Sequence, residues 1–221
     1  MSVTLKEIKE QARQRADMEN STFIKETELT LYVNSSISEL YDILVQTYQD
    51  YYIDEYEFKT TSQVSSYPLP EDFYKLRGVD ARLGSGDYIA LKQFNFNERT
   101  AQTSLATWGS SITSDIRYRI LADKIKFVPV PDTNADIRIW YTPSPKELKE
   151  SEDIFPIHRG YIEYVVVDVA IKMLQKEESD VSVLMNQKAN LKRRIEEVAG
   201  SRDTGDSESI TDVYQNRNLI S

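Results

Sequence analysis

The chain has 221 residues, carries 36 Asp and Glu against 27 Lys and Arg for a net charge of −9, and contains no cysteine. That balance argues against simple nucleic-acid binding, which draws on Lys and Arg contacts to phosphate, and the missing thiols exclude a disulfide framework and thiolate metal sites. The longest apolar run, around Tyr164 to Val167, is far below the roughly 20 residues of a membrane span, and MSVTLKEIKE lacks a signal-peptide core, so a cytoplasmically made soluble protein with no membrane contact is expected.

In chain order, Thr4 and Glu7 are spaced as a capping box, and Leu5, Ile8, Ala12 and Ala16 follow at helical intervals. A turn at Glu19, Asn20 and Ser21 precedes a longer helix expected over about Lys25 to Tyr51, with Leu29, Val33, Ile37, Leu40, Leu44, Tyr48 and Tyr51 as its one apolar stripe. From Tyr56 to Tyr141 the period becomes two: Tyr56, Phe58 and Thr60; Val79, Ala81 and Leu83; Ile116, Tyr118 and Ile120; Ile125 and Phe127; Ile137, Ile139 and Tyr141. Pro68 and Pro70 each fix φ and lack an amide donor, so YPLP is an extended elbow and not a central strand. Leu121 to Lys124 is short enough to close a hairpin, and Gly84, Ser85 and Gly86 read as a β-turn. Leu91, Phe94 and Arg99 fit a short helix. Helical spacing returns over about Ile157 to Lys176, apolar around a wide arc and therefore central. A last helix, capped by Ser179 or Asp180, carries Val181, Leu184, Lys188, Leu191, Ile195 and Val198, with Gly200 at the place of a left-handed terminal cap.

These patterns predict an α+β fold: a helical bundle with an inserted small antiparallel β domain, sheet or sandwich, and an extended C-terminal tail. The expected divisions are 1–55 and 143–200 for the two bundle halves, 56–142 for the β domain and 201–221 for the arm. The arm is polar, yet Ile210, Val213, Tyr214, Leu219 and Ile220 punctuate it, as expected of a segment that orders on a partner.

Catalytic constellations are scarce, and neither an enzymatic role nor a cofactor is expected. His158 is the only histidine, so two-histidine metal sites are impossible, and no G-x-S-x-G elbow presents a serine to it. Nothing selects an acid pair for glycosidic cleavage among Asp87, Glu152, Asp153, Glu177 and Glu178. Lys192, Arg193 and Arg194 are followed at once by Glu196 and Glu197, which reads as a solvated helix face. Tyrosine is abundant at 14. Tyr48, Tyr51, Tyr52 and Tyr56 gather where the long helix meets the sheet, suiting a domain junction or a protein interface.

Specific stretches carry a family resemblance. YPLPEDFYKLRGVDA (67–81), FIKETELTLYVN (23–34), YRILADKIKFVPVP (118–131), RIWYTPSPKEL (138–148), VVVDVAIKMLQKEESD (165–180) and SRDTGDSESITDVY (201–214) resemble the head-to-tail adaptor (connector) proteins of tailed bacteriophages. Lys25 departs from the pattern, which favours Ser, Thr or Asp at that helix start. The resemblance implies a structural virion protein at the head-tail junction, in a ring, commonly of twelve copies, beneath the portal. Such a ring extends the channel through which double-stranded DNA passes without specific binding, and offers a platform to tail nozzle or fibre proteins. It leaves the C-terminal arm, with Ile210, Val213, Tyr214, Leu219 and Ile220, for the portal protein or a neighbouring subunit. Some adaptor-like tail proteins are credited with cell-wall hydrolysis, so a tail-associated peptidoglycan hydrolase is the alternative.

Overall fold

The computed structural model describes residues 3–98, 108, 116–157 and 159–200. Among them the helices are α1 (Leu5–Arg15), α2 (Glu26–Thr47), α3 (Ile162–Lys176) and α4 (Ser182–Gly200). The strands are β1 (Val3–Thr4), β2 (Asp54–Lys59), β3 (Ser66–Pro68), β4 (Phe73–Arg82), β5 (Ile89–Ala90), β6 (Lys92–Gln93), β7 (Arg117–Leu121), β8 (Lys124–Val128), β9 (Asp136–Pro143) and β10 (Ile154–Phe155). The fold is α+β.

The capping box forms: Glu7 N–H donates to Thr4 Oγ1 at 3.2 Å and Thr4 N–H to Glu7 Oε2 at 3.0 Å. The remaining free amides at the start of α1 are met from far along the chain. Leu5 N–H donates to the Asp153 carbonyl at 2.9 Å and Lys6 N–H to that of Ser151 at 3.0 Å. β1 pairs antiparallel with β10 beside them, tying the start of the chain to the segment ahead of α3 over one helical core. That core comprises Leu5, Ile8 and Ala12 of α1, the Leu29, Val33, Ile37, Leu40 and Leu44 stripe of α2, nearly every face of α3, and Leu191, Ile195 and Ala199 of α4.

Three helix boundaries differ from the sequence reading. α2 stops at Thr47, because Tyr48 turns extended at φ −134° and ψ 103°; Tyr51 and Tyr52 then fold back, and Tyr52 stacks on Tyr41 at 4.6 Å between ring centroids. Aromatic packing there outweighs the helical pattern. α3 begins at Ile162, after a 3₁₀ turn at Arg159–Tyr161. Gly200 is the last described residue of α4 and not a left-handed cap, the one glycine with positive φ among the described residues being Gly84. On α4 the buried partner is Ala199, while Val198 is exposed. The start of α4 is held by Asp180, whose carboxylate accepts from Ser182 N–H at 2.9 Å and Ser182 Oγ at 3.0 Å.

The middle segment folds as two facing four-stranded sheets, β2-β9-β4-β5 and β3-β8-β7-β6, antiparallel except for the β6–β7 pair. Alternation sends Val79, Ala81, Ile137, Ile139 and Tyr141 from one sheet and Tyr118, Ile125 and Phe127 from the other into a second core, which Trp108 and Ile116 complete. Pro68 ends β3, an edge strand, where its missing amide breaks no ladder. The hairpin between β7 and β8 closes through Ala122, at φ 54°. Leu83 to Gly86 is the expected β-turn, with Gly86 N–H on the Leu83 carbonyl at 3.2 Å. The helix expected around Leu91 to Arg99 is replaced by β6 and a 3₁₀ turn at Phe96–Glu98; Arg99 lies outside the described residues.

Candidate functional site

The joint between helices and sandwich is built from tyrosine. Tyr41 of α2 donates its hydroxyl to the Pro143 carbonyl at the end of β9 and stacks on Tyr52. Tyr52 in turn tilts against Phe155 at 6.5 Å between centroids. From β4, Tyr74 donates to Asp42 Oδ1 at 2.7 Å, and Arg77 grips Asp50 Oδ1 through Nε at 2.9 Å and Nη2 at 2.6 Å. Asn34 clamps the Leu148 backbone, donating to its carbonyl and accepting from its amide, both at 2.9 Å. Burial pushes the Tyr41 hydroxyl well above its usual range, and burial with the Asp72 hydrogen bond pushes Tyr141 up to about 12. Both phenols are neutral donors at any physiological pH. Of the tyrosines grouped in the sequence, Tyr52 packs on Tyr41 and Tyr51 on Tyr52, while Tyr56 points to the sandwich core; the hydrogen bonds across the joint come from Tyr41 and Tyr74, which lie outside that group.

A second polar constellation lies among α2, α3 and α4. Asp168, 2% exposed, meets the Lys172 ammonium at 2.7 Å through Oδ2 and the Lys188 ammonium at 2.7 Å through Oδ1. Lys188 also pairs with Glu39 at 2.8 Å, and the buried Tyr164 hydroxyl donates to Glu39 Oε1 at 2.6 Å. Burial raises the Asp168 carboxyl, but the two ammonium groups and the Ser36 hydroxyl outweigh it and hold the group below its usual range. Burial lowers Lys188, and its bonds to Asp168 and Glu39 reverse that into a rise. A groove of about 340 Å³ opens above this network, floored by Ile171, Met185 and Ala189. With its charges paired inside the bundle, the constellation fixes the register of three helices and presents no free nucleophile. The sequence reading did not single it out, although a lone Asp inside VVVDVA with Lys four residues on was the available signal.

The acidic residues weighed for hydrolysis are dispersed. Asp153 accepts from the Lys149 and Glu150 amides in a turn, at 2.7 and 2.9 Å, while Glu177 and Glu178 follow α3 on the surface. Lys192 pairs with Glu196 at 3.9 Å on a solvated face, and Arg194 reaches the Gly160 carbonyl at 2.9 Å. No group of three or more His, Asp or Glu among the described residues is placed to hold a metal ion. Among the same residues, no helix is long and apolar enough to cross a membrane. His158 and the arm residues Ile210, Val213, Tyr214, Leu219 and Ile220 lie outside the described residues.

No curated protein matches the chain. The family model described as SU10 adaptor protein matches residues 3–215, spanning both cores and most of the arm. A match over nearly the whole chain, taking in both cores, makes the protein a structural adaptor of a phage particle, associated with the portal and tail components at the neck: the chain belongs to the SU10 adaptor family of phage head-to-tail adaptors.

Proposed function

We propose that the protein assembles beneath the portal as a ring, commonly of twelve copies in such adaptors, which prolongs the DNA channel and gives the next tail proteins their platform. The observation that carries this reading is the family match over residues 3–215, which takes in the helical body, the sandwich and the arm together. The helices supply the wall of the ring, the sandwich the contacts to nozzle or fibre proteins. The arm, through Ile210, Val213, Tyr214, Leu219 and Ile220, anchors on the portal or a neighbouring subunit. Burying such side chains contributes about 1.5 to 3 kcal/mol each, enough together to offset the entropy of ordering a flexible segment.

Deleting residues 201–221 tests the anchor. The shortened chain is expected to keep its circular dichroism spectrum and lose cosedimentation with purified portal protein; undiminished cosedimentation would contradict the assignment. In a parallel assay, a fall in turbidity of a peptidoglycan suspension on adding the protein would support the hydrolytic alternative in its place.

A further inference from the structure

The long open edge of the sandwich is β2. It is six residues long and forms the outer strand of its sheet, whereas β5 and β6 are two residues each and β3 is three and ends in proline. Thr60 N–H donates to the Ala135 carbonyl at 2.9 Å in continuation of the β2–β9 register. In an antiparallel ladder, the amides of Tyr56 and Phe58 therefore point at β9, and those of Glu55, Glu57 and Lys59 point away from it. Glu55 N–H is folded onto its neighbour's Asp54 Oδ1 at 2.8 Å. The edge at Glu57 and Lys59 meets no other strand of the described residues. Tyr56 and Phe58, on the inner side, are only partly buried and rim the sandwich core, leaving it open at this border.

We propose that in the free protein this edge receives the chain's own arm, Thr211 to Arg217, as a fifth, antiparallel strand. Gly200 ends α4 beside the end of α2, since a Cβ there would lie 3.7 Å from Thr47 Cγ2, and β2 follows α2 directly in the chain. An antiparallel strand enters at the Lys59 end, so the ten residues from Ser201 to Ile210, reaching up to about 35 Å, span the step from Thr47 to Asp54 and the roughly 20 Å length of β2. The segment carries the strand formers Thr211, Val213 and Tyr214, is preceded by Ile210, and contains no proline.

One register satisfies every facing pair. With Val213 opposite Phe58, Val213 covers the open rim of the core, Asp212 faces Lys59, Tyr214 faces Glu57 and Arg217 faces Asp54, so both facing charge pairs are of opposite sign. A slip of one residue turns Val213 to the charged outer face; a slip of two puts Val213 on Tyr56 but sets Asp212 against Glu57, or takes it past Phe58 to Thr60. The tether gives the segment a local concentration in the millimolar range, well above that of another copy at micromolar protein. The strand then holds Val213 over the core rim until assembly, whether or not the portal is the arm's final partner.

Because the protein has no cysteine, an engineered pair reads the register directly. In the full chain at micromolar concentration, Glu55→Cys with Asn216→Cys is expected to form an intrachain disulfide about tenfold faster than Glu55→Cys with Gln215→Cys, whose side chain leaves the other face. In parallel, Lys59→Glu is expected to speed hydrogen exchange at the Glu57 amide about threefold, and adding Asp212→Lys to restore it. Equal crosslinking of the two pairs, crosslinks between chains only, or no restoration by the second charge change would overturn the proposal.

Discussion

Asp168 stands in an otherwise apolar stretch of α3 and is the buried anion of the helical body's charge network. Its removal leaves the Lys172 and Lys188 ammonium groups without their buried anion. Asp168→Ala is therefore expected to lower unfolding free energy by about 3 kcal/mol, read as a fall in the urea midpoint. The same group shapes the acid limb of stability. Because its carboxyl is held down in the fold, its contribution is full above the unfolded value near 3.9 and is lost as pH falls through the lower folded value. Lys188 works in the opposite sense: raised in the fold, it contributes fully below its unfolded value near 10.4 and loses that contribution as pH rises through the folded one. A stability profile of Asp168→Asn should flatten at the acid end, and an unchanged acid limb would refute the assignment. Ala122 offers the reverse experiment. Its φ of 54° in the β7–β8 turn is a left-handed conformation that costs an L-residue roughly 1–2 kcal/mol, so Ala122→Gly is expected to raise stability by about 0.5–1 kcal/mol, after the glycine's added chain entropy is counted. A lower melting temperature would show that the turn is not strained.

At the scale of elements, the start of α2 is open to improvement. Lys25 occupies the N-cap position with extended backbone and makes no side-chain hydrogen bond to the first turn. Lys25→Ser supplies the missing acceptor and is expected to add about 1 kcal/mol, measured by chemical denaturation; no gain would mean that the Lys9 and Arg13 contacts to Glu26 already fix this helix start. Most elements are legible in the sequence because their signals are local. The Thr4–Glu7 box, the period-two strands and the proline-marked edge at Pro68 each depend on near neighbours, and each formed. Failures came where distant residues decide. α2 ends early because Tyr52 finds Tyr41 and Phe155, and the stretch after Leu91 becomes a parallel strand because Lys92 and Gln93 find Arg117 and Tyr118. The same reason hid most of the Asp168 network, since its members come from three helices. The pairing of Leu5 and Lys6 amides with carbonyls near residue 152 has no signature in either segment.

Across the whole molecule, the helical body and the sandwich are tied by Tyr41 on Pro143, Tyr74 on Asp42 and Arg77 on Asp50. Such ties suit a structural component of a phage particle. Charge suits it as well: twelve copies at −9 each would carry −108 in all, and acidic walls repel phosphate within a screening length of roughly 8 Å. Duplex DNA is therefore expected to show no gel shift with the free chain at low salt, and tight binding would speak against a slippery conduit. The free chain, with a mean hydropathy of −0.51 and its stripes buried within one bundle, is expected to sediment as a monomer or small oligomer. Ring assembly on the portal can be read from the mass of the complex formed when purified portal and this protein are mixed. An added mass of twelve chains, with no ring in the protein alone, is the expected result; a stable twelve-membered ring without portal would refute portal-templated closure, and failure to associate with portal would contradict a place beneath it.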